Sequence, residues 1–321
     1  MNSSDESQAG NSVLVTGANG FIGSCLCARL LQQGCRLTAL LHSPSEALSA
    51  TLDRAIVADV CDAGSLGLAF DSIDTVFHLA GVAHVNTNKT RLLRQVNVVG
   101  TSNVLQAAVA ANVRRLVFLS SSLVHACETG KGDITVYGQS KLEAEQLLMA
   151  AHANQQIEVV ILRPVNAYGT AMKGNIRRMI SLIANKRLPP LPRLENELSL
   201  VGVEDLVSAL MLAANSMAAS GKTYYVTDGE SYRINDIEQA IYKALGRNRP
   251  GWYSPRVVLY AASALAGRVG KIIGTGINTR TYYNLVNSNC FSNQQIQDEL
   301  GFSPTSNLYA ELPAIVKRIA E

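Results

Sequence analysis

Tyr137 and Lys141, in Tyr-Gly-Gln-Ser-Lys at the start of a predicted helix, are four residues apart and share one helix face. A phenol with a pKa near ~10 is a poor base at neutral pH, and a neighbouring ammonium favours its ionised form. Such a tyrosine can exchange a proton with a substrate hydroxyl or carbonyl. The spacing alone is common in helices. It gains meaning from Ser120-Ser121-Ser122, which closes a predicted strand where side chains leave the carboxyl edge of a parallel sheet, the usual ligand side. Ser122 is expected to bond the reacting oxygen beside Tyr137, and Ser120 and Ser121 read as strand-end caps.

A second constellation is Val-Leu-Val-Thr-Gly-Ala-Asn-Gly-Phe-Ile-Gly, which places Gly17, Gly20 and Gly23 directly after a strand and at the opening of a helix. The first glycine makes a tight turn, the second admits a pyrophosphate close to backbone, and the third lets helix and strand pack closely. The helix N-terminus then offers unpaired N–H groups to phosphate. Gly17, Asn19, Gly20, Phe21, Ile22 and Gly23 are therefore expected to hold a dinucleotide.

The end of the second strand bears on which one. A free ribose 2′-hydroxyl is usually held there by an acid, and this chain has His42 and Ser43. These can donate to a 2′-phosphate, which favours NADP(H), while NAD(H) held by backbone contacts stays open. Asp59, followed by Val60, is placed to meet the adenine amino group, and Asp62 reads as a helix N-cap.

These residues need a scaffold, and the chain supplies it. Apolar runs at 12–16, 36–41, 75–79, 115–120 and 158–162 lack polar alternation and read as buried strands. Helical patterns lie between them, which calls for a parallel sheet with helices on both faces. The predicted class is α/β, a Rossmann-type doubly wound parallel sheet with a smaller, mostly helical C-terminal substrate-binding portion. Residues 1–10 read as a disordered tail, 11–170 as the dinucleotide domain and 171–321 as the substrate-binding portion. The two are expected to interleave, a helix and strand near 200–227 returning to the first.

Composition sets the outer limits. Of 321 residues, 28 are Lys or Arg and 25 are Asp or Glu, a net charge of +3 that argues against a nucleic-acid partner. Six cysteines form no Cys-x-x-Cys pair and no metal motif is present, so reduced thiols in the cytoplasm are expected. Apolar stretches near 205–219 and 256–267 fall short of the ~20 residues that span a bilayer. The second has basic ends and could rest on the inner membrane face or pack as a core helix.

The ordered segments TGANGFIG, FHLAG (77–81), VNVVGTSNVLQAA (96–108), SSSLV (120–124), YGQSK, LRPVNAYG (162–169), VGVEDL (201–206) and DELGFSP (298–304) together resemble the extended short-chain dehydrogenase/reductase family, in its nucleotide-sugar branch. By that resemblance Ser122, Tyr137 and Lys141 are the catalytic triad, and Asn97 steadies the active-site helix while touching the cofactor site. His78, Leu79, Ala80 and Gly81 line the ribose and nicotinamide side with Ser120 and Pro164, and Arg163 lies on the same bordering strand. Asn166 holds the sugar diphosphate, with His84, Lys173 and Asn175 on the substrate side. Two departures stand out. Val124-His125-Ala126 replaces the family's Val-Tyr-Gly, and Glu197-Leu198-Ser199 stands where many relatives carry a phosphate-binding arginine, leaving Arg177, Arg178, Arg193 or Lys173 as substitutes.

The resemblance implies hydride transfer at C4 of a nucleotide-linked hexose. It favours NADPH-dependent reduction of a UDP-4-keto-6-deoxy-HexNAc-type sugar in surface polysaccharide synthesis. The alternatives are a UDP-hexose 4-epimerase with tightly bound NAD and, from another class, a non-catalytic dinucleotide sensor. A homodimer through the helices at 90–111 and 138–153 is expected.

Overall fold

The computed structural model describes residues 12–44, 52, 54–83, 90–257, 260–261, 264 and 288–320. The predicted tail 1–10, His84 and most of the apolar segment after 256 lie outside the described residues.

In chain order the first elements are strand β1 (Ser12–Thr16), helix α1 (Phe21–Gln32), β2 (Arg36–Leu41), β3 (Arg54–Val57), β4 (Thr75–His78), α2 (Thr90–Arg94) and α3 (Thr101–Ala110). They are followed by β5 (Arg115–Leu119), α4 (Val124–Thr129), α5 (Val136–Ala153), β6 (Glu158–Pro164), β7 (Asn166–Tyr168) and α6 (Asn175–Ala184). Then come β8 (Glu197–Leu198), β9 (Leu200–Gly202), α7 (Val203–Asn215), β10 (Thr223–Val226), β11 (Tyr232–Arg233), α8 (Ile234–Ala244), α9 (Gln294–Leu300) and α10 (Leu308–Ala320).

The chain forms two compact units, and the first comprises Met1–Val165, Val203–Val226 and Asn293–Ser303. Its sheet has seven strands in the order β10-β6-β5-β4-β1-β2-β3, every neighbouring pair parallel. Parallel strands need crossover helices, and helices cover both faces, so β1, β4 and β5 are buried along their whole lengths. That burial explains why these strands read as unbroken apolar runs. Arg115, at the head of β5, is an exception of type. It is fully buried, pairs with Glu158 at 2.7 Å, and donates from Nη1 to Ala213, Ala214 and Ser216 carbonyls at the end of α7. A cation at a helix C-terminus answers both the unpaired carbonyls and the helix dipole.

The single helix expected over 90–111 is interrupted. Gln95–Gly100 forms a π-helical turn between α2 and α3, a form that often marks functional sites. The strand expected to run to residue 120 ends at Leu119, which changes how the three serines are presented.

The second unit comprises Asn166–Gly202, Thr227–Ser292 and Pro304–Glu321. It holds two small sheets, β7 with β9 in parallel and β8 with β11 antiparallel. In its core, the Tyr168 and Tyr232 hydroxyls both donate to Asp228 Oδ2, at 2.9 and 2.7 Å. Among the described residues no helix is long and apolar enough to cross a membrane.

Candidate active site

The β1–α1 turn is shaped for an anion. Gly17 has φ of 70°, and a Cβ there would sit 2.8 Å from Ala80 N. A Cβ on Gly23 would fall 2.2 Å from Gly17 O, so only glycine fits. Gly20 caps α1 with no side-chain hydrogen bond to the first turn. The first N–H groups of that turn are thus left without a side-chain cap, the arrangement that suits an anion. Asn19 is exposed, and Phe21 and Ile22 are half-buried at the helix start.

At the end of β2, His42 and Ser43 are exposed, with no carboxylate at either position. Asp59 accepts the Cys61 N–H at 2.9 Å, and Asp62 caps the short 3-10 helix Ala63–Ser65 through the Gly64 N–H. The Val60 carbonyl accepts from Asn103 Nδ2 at 2.9 Å, and its side chain packs where a Cβ on Gly100 would be. That contact fixes the segment bearing Asp59 against α3.

A one-way relay runs through the buried His78. The Ala80 N–H donates to Thr16 Oγ1 at 3.0 Å, and Thr16 Oγ1 meets His78 Nδ1 at 2.7 Å. On the other side His78 Nε2 meets Thr101 Oγ1 at 2.9 Å, and that hydroxyl donates to the Asn97 carbonyl at 2.7 Å. Thr101 spends its proton on Asn97, so the imidazole must carry its hydrogen on Nε2. Burial, with the Lys141 charge adding to it, pushes the His78 pKa down to about 3. The ring is neutral, and it ties the β4 edge to the π-turn.

Asn97 in turn joins that turn to the catalytic helix. Its Oδ1 accepts the Val82 N–H at 2.8 Å, and its Nδ2 donates to Val82 O and to Ser140 Oγ at 3.1 and 3.0 Å. Ser140 passes its proton to the Tyr137 carbonyl at 2.8 Å. Thr135 caps α5 by accepting the Gly138 N–H at 2.6 Å, which sets Tyr137 in the first turn. Lys141, one turn on, is buried. Its Nζ donates to Leu119 O at 2.9 Å and lies 4.4 Å from the Phe118 ring centroid. A Cβ on Gly81 would be 3.2 Å from Asn97 Oδ1 and 3.3 Å from Lys141 Nζ. The loop after β4 therefore touches both groups.

The Tyr137 phenol has Ser121 as a side-chain hydrogen-bond partner. Ser122, expected to meet the reacting oxygen, is buried just after β5, where its backbone N–H donates to Pro164 O at 2.9 Å. The Ser120 hydroxyl donates to the buried Glu145 on α5. The phenol itself departs from the sequence reading. Burial pushes the Tyr137 pKa up to about 12, against the pull of the Ser121 bond. Lys141 falls to about 8 by burial, with Glu145 opposing. Burial dominates at the phenol, so Tyr137 rests as a protonated acid.

Glu145 also belongs to a cluster the sequence did not disclose. Arg163 on β6 donates to it from Nε at 3.0 Å and reaches Glu128 on α4 from both terminal nitrogens, at 2.8 and 2.6 Å. The same guanidinium donates to Tyr225 Oη at 3.2 Å, 3.2 Å from which lies His125 Nδ1. Arg163 is consumed by these partners, which brace α4 and α5 against the sheet.

In the second unit, Asn166 on β7, Lys173 before α6 and Asn175 at its start are exposed. Arg193 lies over the Tyr253 ring at 4.7 Å. No group of His, Cys, Asp or Glu among the described residues could hold a metal ion.

Residues 13–227 match the sequence model of the NAD dependent epimerase/dehydratase family. The chain belongs to that family. Its relatives in the family include a UDP-glucose 4-epimerase of Vibrio cholerae, 28% identical over 261 residues, which are 76% of this chain and 78% of the relative. A 3-beta-hydroxysteroid dehydrogenase of Mycolicibacterium neoaurum is 26% identical over 260 residues, 74% and 71% of the two chains. Among solved structures, MoeE5 in complex with UDP-glucose and NAD superposes with a TM-score of 0.74 at 26% identity, covering 96% of this chain and 98% of that one. These likenesses make the chain an extended short-chain dehydrogenase/reductase of the epimerase and oxidoreductase class. The glycine turn described above fits the dinucleotide this family uses.

Proposed function

We propose that the protein transfers hydride at C4 of a nucleotide-linked hexose, as an NADPH-dependent reductase of a UDP-4-keto-6-deoxy-HexNAc-type sugar in surface polysaccharide synthesis. The observation that carries this reading is Tyr137 in the first turn of α5, one helical turn from a buried Lys141 whose Nζ donates to Leu119 O and borders the Gly81 loop. A bound reduced nicotinamide would supply the hydride. Tyr137 delivers its proton to the ketone oxygen, Ser122 polarises that oxygen, and Lys141 carries the positive charge that steadies the phenolate left behind. Asn97 and Ser140 keep the helix in register. His42 and Ser43 support the phosphorylated coenzyme, because neither repels a 2′-phosphate. The names of the Vibrio cholerae relative and of the MoeE5 complex support a nucleotide sugar.

A second reading, UDP-hexose 4-epimerisation with retained NAD, is favoured by that same relative's name. In it Tyr137 first removes the C4 hydroxyl proton and the hydride later returns to the other face. The proposed setting is cytoplasmic. The proposed assembly is a homodimer through α2, the π-turn, α3 and α5, where Leu92 on α2, Val99 in the π-turn and Leu147 on α5 are exposed.

The test is one assay with three substrates. Stoichiometric NADPH oxidation by the 4-keto sugar nucleotide supports the reductase. Interconversion of UDP-glucose and UDP-galactose without net oxidation supports the epimerase. Turnover of a 3-beta-hydroxysteroid with neither sugar accepted would overturn the substrate class.

A further inference from the structure

Trp252, the single tryptophan of the chain, is 55% exposed on the second unit. It does not stand alone. Tyr253 is exposed beside it, and Arg256, Val257, Tyr260, Ala261 and Ala264 are helical. Val257, Tyr260, Ala261 and Ala264 follow i, i+3, i+4, i+7 spacing and so share one helix face. That face is open. Val257 is 75% exposed, Tyr260 and Ala261 are exposed, and Ala264 is half-buried. A helix packed in the core would hide it, so the structure removes one of the two readings that the sequence left for this segment.

The patch is firmly held and positively charged. Ser254 bonds Pro190 O with both its N–H and its hydroxyl, at 3.3 and 2.5 Å. The Arg249 and Arg193 guanidinium groups lie 4.2 and 4.7 Å from the Tyr253 ring centroid, and Arg256 donates to Arg193 O at 3.0 Å. Arg249 is paired with the buried Glu238 at 2.7 Å. Arg193 and Arg256 are exposed and meet no carboxylate among the described residues, so their charge is uncompensated. In the sequence that sign prevails much further. Residues 239–297 hold seven Lys or Arg and no Asp or Glu, while the rest of the chain has more acids than bases.

We infer that this face is a docking surface for the anionic leaflet of a membrane. Exposed apolar patches mark contacts with protein or with lipid, and charge tells the two apart. The surface of a folded partner mixes both signs, whereas an anionic leaflet presents one sign over its whole face. Trp and Tyr favour the headgroup level, where the ring meets apolar surroundings and its polar edge meets water. Arginines beside them pair with lipid phosphate. The face of Val257, Tyr260, Ala261 and Ala264 then lies flat in the acyl boundary, since no helix among the described residues is long and apolar enough to span.

Trp252 is its own reporter, because no other tryptophan contributes to the emission. The full-length protein is mixed with vesicles of phosphatidylcholine containing about 30% phosphatidylglycerol, and with vesicles of phosphatidylcholine alone. The anionic vesicles should shift the emission to shorter wavelength and, when their acyl chains are brominated, quench it. The neutral vesicles should bind about tenfold more weakly or less. Val257→Asp should weaken binding to the anionic vesicles about tenfold or more with Tm unchanged. Sedimentation with the anionic vesicles without a change at Trp252 overturns the inference, because another surface then binds. Absence of sedimentation overturns it too, as does a marked fall in Tm for Val257→Asp, which would show the face packed within the fold. A blue shift that grows with protein concentration without vesicles also overturns it, by placing a second copy of the chain on this face. Neither coenzyme nor sugar enters the measurement, so its outcome leaves the proposed reaction untouched.

Discussion

His78 should make the fold sensitive to mild acid. Buried between Thr16 and Thr101, it has a pKa of about 3 against an ordinary value of 6.5. The unfolded chain therefore binds a proton at pH 5 that the folded chain refuses. Stability is complete above pH 6.5 and is lost as the pH falls toward 3. Each pH unit in that window costs about 1.4 kcal/mol, so lowering the pH from 7 to 5 removes about 2 kcal/mol through this one ring. Against a typical domain stability of roughly 5–15 kcal/mol that loss is readily measured. Urea denaturation of wild type and His78→Gln at pH 7, 6 and 5 isolates it, because glutamine keeps a donor and an acceptor but does not titrate. The stability of His78→Gln should fall less between pH 7 and 5, by about 2 kcal/mol. Parallel pH dependence in the two proteins would refute the buried neutral imidazole.

Ser122→Ala should lower kcat by about 10²-fold or more while Ser121→Ala has the smaller effect; steady-state kinetics showing the reverse would move the role to Ser121. With Lys141 at about 8, kcat/KM should hold steady below that pH and fall as the pH rises through it, when the ammonium loses its charge. The limb should vanish upward in Lys141→Arg, and its absence from the wild-type profile would contradict the assignment. Gly23→Ala drives a Cβ into the Gly17 carbonyl, 2.2 Å away, so calorimetry should show dinucleotide affinity lowered at least tenfold.

The sheet was legible because parallel strands buried on both faces leave unbroken apolar runs, and the glycine turn because its backbone tolerates no side chain at Gly17 or Gly23. How the three serines are presented was not legible, because the face each one takes depends on where β5 stops, one residue earlier than its apolar run suggests. The π-turn at Gln95–Gly100 was hidden for a related reason, since its sequence has ordinary helical spacing and only tertiary bonds to Asn97 distinguish it. The network of Arg163, Glu145 and Glu128 joins residues from three elements, and nothing local announces it.

The central claim is that Tyr137 passes the proton that accompanies hydride transfer. A single-turnover experiment with Tyr137→Phe tests it most directly, following nicotinamide absorbance on mixing NADPH-loaded protein with the 4-keto sugar nucleotide. The account predicts unchanged NADPH binding and hydride transfer slowed by about 10²–10⁴-fold. Transfer at the wild-type rate in that variant would contradict it.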